Sequence, residues 1–361
     1  MKKIKSICIV GQGLNGGGIE RAFTSLANYF ASQKIQVSII LLFKTSQFYD
    51  LDSRIKIFSP TINRKDFNKY SYALWLLPYL TDSIKKSNSN VVLSFNEWYN
   101  PYVITATIGL NIPIFVTDRM SPDLKLNKIN TLARKIVYKK AAGVIAQTNY
   151  AANKIKQNAN PENIVVIPNP VNVIDIKTGN KKKSIVSLGR LSKEKGHKYL
   201  IEAFSKIKTN EWELNIIGDG PEKKELLKMS IDLCIGKSVN FHGHLKEFSY
   251  IMSEAEIFVL PSLSEGFPNA LIEAMSVPLA CISTNCVAGP SDIIINNYNG
   301  LLINVADSDD LVNKLDVLIS DDKLRKYLAT NAYSIRSELK FENIAERYLM
   351  FMESIVYGDK I

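Results

Sequence analysis

Two cations and two carboxylates carry most of the chemistry the second half of this chain could perform. In "SLGRLSKEKG", residues 187–196, Arg190 and Lys195 stand just after an apolar, strand-like run. Arginine offers a planar fork of donors and lysine a compact point charge, a combination that suits a diphosphate. In open α/β sheets, ligands collect outside the carboxyl ends of the strands, which is where this loop falls. In "IFVLPSLSEGFPNALIEAM", residues 257–275, an apolar run ends at Pro261 and a loop follows with Glu265, Gly266, Phe267 and Pro268. Pro268 fits the first turn of a helix that carries Glu273. Free N–H groups around residues 266–269 can receive an anion or a sugar oxygen. Glu273, flanked by Leu271, Ile272 and Ala274, reads as a buried carboxylate that needs a partner. A ribose diol would satisfy it, and so would a structural Arg or Lys.

The first half offers a glycine loop. "IVGQGLNGGGIERA", residues 9–22, spells G-x-G-x-x-G with Gly11, Gly13 and Gly16 behind an apolar run. A dinucleotide site also needs an acidic residue at the end of the second strand to hold the ribose. That strand reads "VSIILLFKTS", with Lys44 in the acidic position. Lys44 would tolerate a 2′-phosphate, so an NADP oxidoreductase stays open, yet nothing downstream reads as a hydride-transfer site. Gly16, Gly17 and Gly18 precede Ile19-Glu20-Arg21 and a helix. Their backbone N–H groups could close on an anion at the helix N-terminus. Glu20 either complements the helix dipole or binds a ligand.

These loops need strands to hold them. Apolar runs at 4–10, 36–43, 91–95, 114–117, 143–147 and 164–167 alternate with helix-length segments. The second half repeats the pattern at 184–188, 213–218, 239–242, 257–261, 279–283 and 301–304. Such alternation argues parallel α/β sheets, and 361 residues exceed one ordinary domain. The chain reads as an α/β protein of two doubly wound domains, 1–170 and 171–340. A proline-containing, then basic linker at 167–184 marks the joint. A last helix at 341–361 has Ile344, Tyr348, Phe351 and Ile355 at helical spacing and no strand after it, so it must pack on existing structure.

Bulk properties narrow the class. No apolar run is long enough to span a bilayer, and glycines follow the start too soon for a signal-peptide core, so a cytoplasmic protein is expected. The cysteines Cys8, Cys234, Cys281 and Cys286 show no C-x-x-C spacing and read as buried, reduced thiols. The three histidines do not complete a zinc set. A net charge of +10 favours an anionic partner, whether nucleic acid, phosphorylated ligand or membrane.

"GRLSKEKG", "PSLSEGFPNALIEAM", "GPSDII" and "NGLL", in this order, resemble the nucleotide-sugar half of glycosyltransferase family 4, whose hallmark is two glutamates separated by seven residues, here Glu265 and Glu273. "GGGIERAFTSLANYF", "VVLSFNEW" and "PIFVTDRMSPD" resemble first-domain pieces of its polysaccharide-assembly members. The resemblance implies the GT-B fold: two Rossmann-like domains facing across a cleft, the first binding acceptor and the second binding donor, with the C-terminal helix crossing back to the first. It implies a bacterial, retaining hexosyltransferase that moves a hexose or N-acetylhexosamine from a UDP-sugar to a saccharide or polyprenyl-linked acceptor. Arg190 and Lys195 would hold the donor diphosphate and Glu273 the ribose. Glu265 would contact the transferred sugar, and with Arg190 and Lys195 would form the catalytic set. Backbone N–H groups of Gly266 and Phe267 would reach sugar or phosphate oxygens, and the backbone around Leu245 would hold the base. Gly16 and Gly17 would approach the donor phosphate or the acceptor from the other domain.

Two departures stand out. After "EAM" the family continues with Gly and Pro, where this chain has Pro278 and Ala280. No histidine lies in the first domain, where many members have one near the reacting sugar. Asn96, Glu97 or Arg119 could take its place, and with Glu20 these make the candidate acceptor residues. No D-x-D stands near the site, and "SDD" at 308–310 starts a late helix, so no metal and no cofactor are expected. The leaving phosphate would accept the acceptor proton in a front-face mechanism. Residues 125–140 place Leu126, Ile129, Ala133, Ile136 and Val137 in one stripe, with Lys128, Lys135 and Lys139 within about 40° of each other. Beside an apolar stripe this suits an anionic membrane face rather than nucleic acid. An ordinary core-facing helix with solvated lysines fits the same pattern. "YALWLLPYL", 72–80, could touch lipid or be a core helix. The rivals are an NAD(P) oxidoreductase, a nucleotide-sugar epimerase or phosphorylase of the same fold, and a non-catalytic sugar or nucleotide binder.

Overall fold

The computed structural model describes residues 3–119, 128–177, 179–207 and 211–358. Two parallel sheets organise it. The first contains β1 (Ser6–Gly11), β2 (Gln36–Leu41), β3 (Lys56–Phe58), β4 (Val91–Phe95), β5 (Ile114–Asp118), β6 (Gly143–Ala146) and β7 (Ile164–Val166). Its order is β3-β2-β1-β4-β5-β6-β7. The second contains β8 (Ser184–Leu188), β9 (Glu213–Ile217), β10 (Val239–Gly243), β11 (Ile257–Leu260), β12 (Ala280–Thr284) and β13 (Leu301–Ile303), in the order β10-β9-β8-β11-β12-β13. Both orders reverse direction beside the first strand, β1 or β8, which is the doubly wound arrangement.

The strands are uninterrupted apolar runs because helices cover both faces of the sheets. β1, β4 and β5 are buried along their whole length. β3 was not anticipated. It has three residues at the sheet edge with Lys56 and Ile57 exposed, too short to show a period.

The chain divides into two compact units, Met1–Pro168 with Glu342–Ile361, and Asn169–Phe341. The 167–184 segment is not the free linker its composition suggests. Val171 and Ile174 are buried, Val171 N–H donates to Leu339 O, and Ile174 N–H donates to Ser276 Oγ. The last helix, Phe341–Tyr357, completes the first unit. Phe351 meets Phe115 edge-on at 5.7 Å, Tyr348 stacks on Phe95, and Glu353 accepts from Ile4 N–H at 2.9 Å. Cys8, Cys281 and Cys286 are buried thiols, whereas Cys234 is exposed, at a positive φ just after helix Lys223–Asp232. Asp307 caps the helix Ser308–Ser320, so the acids of "SDD" do serve a helix start. No helix of the described residues is long and apolar enough to cross a membrane.

Candidate functional site

In the second unit, three loops at the carboxyl ends of β8, β9 and β10 enclose a hollow of about 430 Å³. Gly189 and Arg190, Gly218 and Asp219, and Leu245 and Phe248 contribute to its lining. Backbone hydrogen bonds strap these loops together: Gly189 N–H to Ile217 O, Leu191 N–H to Asp219 O, and Gly218 N–H to Gly243 O. Gly218 has a φ of +143°, and a Cβ there would lie 1.9 Å from Gly189 O. Only glycine lets the two loops approach this closely. Arg190 and Leu245, two of the sequence candidates, therefore share one cavity.

Lys195 and Glu265 are joined directly. Lys195 Nζ donates to Glu265 Oε1 at 2.6 Å, and Ser262 Oγ donates to the same oxygen at 2.7 Å. The Glu265 side chain is only 6% exposed. Removing such a carboxylate from water is costly unless a cation and hydrogen bonds hold it. Two residues read separately, one for the diphosphate and one for the sugar, thus form one ion pair. Gly196, at φ +65°, turns the chain behind Lys195; a Cβ there would lie 2.1 Å from Pro261 O. The N–H groups of Gly266 and Phe267 donate to no acceptor among the described residues, which keeps them available to a ligand oxygen.

Glu273 lies on the helix Asn269–Met275, for which Pro268 is the N-cap rather than the first helical residue. Its carboxylate is half-buried, not buried, and accepts from Asn172 Nδ2 at 2.9 Å. Among the described residues, that donor is a side chain from the segment before β8.

His197 is a feature the sequence did not announce. It opens the helix His197–Lys206, is 1% exposed, and neither ring nitrogen has a hydrogen-bond partner among the described residues. Burial, with the Lys195 charge adding to it, pushes its pKa down to about 4, so the ring is neutral at physiological pH.

In the first unit, Asn96 and Glu97 follow β4, and Arg119 follows β5. Asn96 is buried at φ +143°, and its Nδ2 donates to Gln12 Oε1 at 3.0 Å, which ties it to the glycine loop. Glu97 is 4% exposed. Arg119 lies over the Phe95 ring at 5.7 Å and donates to Tyr348 Oη at 3.2 Å, so part of its work is to fasten the last helix. A buried network beside them escaped sequence reasoning. Tyr138 Oη donates to Asp118 Oδ1 at 2.8 Å, Asn100 Nδ2 donates to Thr117 O at 3.0 Å, and Arg134 pairs with Asp118 Oδ2. The one available signal was Asp118 itself, a carboxylate ending an apolar strand. In the glycine loop, Glu20 folds back over Gly17, where a Cβ would lie 2.2 Å from Glu20 Oε2.

The helix Lys128–Val137 does not turn its whole apolar stripe to the core. Of the stripe, Ala133 and Val137 are half-buried and Ile136 is 58% exposed; Leu132, outside the stripe, is 59% exposed, and Lys135, Lys139 and Lys140 are exposed on the same segment. Lys125 and Leu126, and the side chains of Lys128 and Ile129, lie outside the described residues. In the helix Lys69–Ser87, Tyr72, Leu76 and Leu80 are buried and Leu74 is 76% exposed.

Comparison with known proteins agrees with this architecture. A model described as Glycosyltransferase Family 4 matches residues 16–174, and one described as Glycosyl transferases group 1 matches residues 173–335. A Campylobacter jejuni enzyme, GalNAc-alpha-(1->4)-GalNAc-alpha-(1->3)-diNAcBac-PP-undecaprenol alpha-1,4-N-acetyl-D-galactosaminyltransferase, is 27% identical over 95% of this chain and 96% of its own. An Escherichia coli UDP-Gal:alpha-D-GlcNAc-diphosphoundecaprenol alpha-1,3-galactosyltransferase is 32% identical over 47% of this chain and 49% of its own. The solved structure of Anabaena HepE in complex with UDP superposes with a TM-score of 0.80 at 18% identity, covering 97% of this chain and all of that one. Neither an oxidoreductase nor an epimerase reading finds support in these likenesses. With two Rossmann-like sheets, the two family matches in succession and named hexosyltransferases as relatives, the chain belongs to the family 4 glycosyltransferases of GT-B fold and is a hexosyltransferase.

Proposed function

We propose that this hexosyltransferase moves a hexose or N-acetylhexosamine from a UDP-sugar to a lipid-linked saccharide during surface-polysaccharide assembly, with retention and without a metal. The observation that carries the reading is the hollow beside Arg190 at the carboxyl ends of β8, β9 and β10, with the Lys195–Glu265 pair in the same unit. In this reading the nucleotide occupies the hollow and the Leu245 backbone meets the base. Arg190 and Lys195 stabilise the charge that gathers on the departing diphosphate. Glu265 keeps the Lys195 ammonium oriented and offers its second oxygen to a sugar hydroxyl. Glu273 exchanges Asn172 for the ribose diol, and the Gly266 and Phe267 amides meet sugar or phosphate oxygens.

Retention is supported by the relatives' names: a UDP-galactose donor is α-linked, and the E. coli relative's product is named as α. With Glu273 assigned to ribose and Glu265 Oε1 held by Lys195 and Ser262, the reading is a front-face transfer. The leaving phosphate then takes the acceptor proton on the face it departs from. The lipid-linked acceptor is supported by the undecaprenol in the relatives' names, and membrane docking by exposed Leu132 and Ile136 beside Lys135, Lys139 and Lys140.

The test is UDP release from a panel of UDP-sugars, with and without a lipid-linked oligosaccharide extract. Arg190→Ala should reduce transfer at least about a hundredfold, the scale of losing a transition-state stabiliser, and Glu273→Ala should raise the donor KM at least about tenfold, the scale of losing a hydrogen bond to a charged group. Full activity in the first variant, or an unchanged donor KM in the second, refutes its assigned role. Flotation with anionic vesicles at low salt tests docking. Leu132→Glu with Ile136→Glu should abolish it, and binding that survives both changes excludes this helix.

A further inference from the structure

Phe48 is an aromatic ring held out in solvent by a tightly strapped loop. It is 71% exposed. The loop that carries it is fastened to the glycine loop by four hydrogen bonds: Phe43 N–H to Gln12 O, Leu14 N–H to Thr45 Oγ1, Phe48 N–H to Leu14 O, and Tyr49 Oη to Gly17 O. Tyr49 supports the ring edge-on at 5.0 Å. The ring overhangs Gly16, where a Cβ would lie 3.2 Å from Phe48 Cδ1.

Beside it, the Glu20 carboxylate covers Gly17 at the start of the helix Gly18–Ser32. That helix end favours negative charge, and Glu20 already supplies it. A phosphate brought there would meet a like charge. A neutral ligand rich in hydroxyls would not, because each hydroxyl can donate a charge-assisted bond to the carboxylate. A pyranose has this chemistry: one face of C–H groups to lie on an aromatic ring and a rim of hydroxyls to donate.

We propose that Phe48 and Glu20 form a subsite for the terminal sugar of the acceptor, with the Phe48 ring against its C–H face and Glu20 accepting from its hydroxyls. The proposal rests on the transferase reading above. Preorganisation gives the exposed ring its value, since the strap leaves little freedom to lose on binding.

Saturation-transfer difference NMR with methyl α-N-acetylgalactosaminide and methyl α-glucoside reads the subsite without any turnover. Wild type should pass saturation to the ring protons of at least one glycoside. Phe48→Ala should lose the signal, and Phe48→Tyr should keep it. Glu20→Gln should weaken it several-fold. In transfer assays Phe48→Ala should raise the acceptor KM about five- to tenfold with kcat and donor KM unchanged. Absence of a signal in wild type, a signal that survives Phe48→Ala, or a donor KM that rises in step overturns the subsite. Failure of the transferase reading looks different: no UDP-sugar shifts the melting temperature of wild type, whatever the glycosides do.

Discussion

Replacing His197 by Leu should remove an acid-sensitive element from the second unit. His197 is 1% exposed and its ring makes no hydrogen bond among the described residues, so an apolar side chain of similar size forfeits little at neutral pH. Its folded-state pKa is about 4 against the usual 6.5. Between those values the unfolded chain binds a proton that the folded chain refuses, so stability rises with pH through this window. The contribution is fully present above the unfolded pKa and is lost as pH falls from 6.5 towards 4. A gap of roughly 2.5 pKa units corresponds to about 3 kcal/mol at the acid end of the window. Urea unfolding of the second unit can be followed at Trp212, which is 3% exposed, with Trp75 and Trp98 changed to Phe. Wild type minus His197→Leu should change by about 3 kcal/mol between pH 7.5 and pH 4. Two proteins that lose stability in parallel across this range refute the linkage.

Three further outcomes follow from the packing. Phe351→Ala should destabilise the first unit by about 3–5 kcal/mol in chemical denaturation, because the ring packs on Phe115 and covers Gly143. Gly218→Ala should lower the melting temperature and weaken the thermal shift given by UDP, because the added methyl meets the Gly189 carbonyl. Asp118→Asn should cost about 3–5 kcal/mol of stability, since it leaves the Arg134 charge largely buried without its carboxylate. A variant that melts like wild type in any of the three contradicts the corresponding packing.

The strands were legible because parallel strands covered on both faces are written as continuous apolar runs; β8 follows its run residue for residue. β3 was not, because three half-wet residues at an edge carry no pattern. That Glu265, Lys195 and Arg190 stand on loops just past apolar strands was legible in the sequence. The ion pair between the first two was not, since the residues are 70 apart in sequence and meet only through β8 and β11 lying side by side. Glu273 was expected to be buried because its neighbours are apolar. A helix of seven residues turns it outward to Asn172 instead. The Asp118 network stayed hidden for a related reason: Arg134 and Tyr138 come from the segment after β5, and only folding brings them beneath the strand end.

The last helix places a constraint on the order of folding. The second unit is continuous from Asn169 to Phe341, whereas the first is split, and its final piece is translated after the second unit. Domains ordinarily fold as they emerge, from the amino end first. Here the first sheet must wait, with Phe95, Phe115 and Gly143 lacking their cover of Tyr348 and Phe351, while the second unit is made and folds. The split unit is therefore finished after the continuous one. Its half-made form, apolar along one flank, is the species a ribosome-bound chaperone would meet.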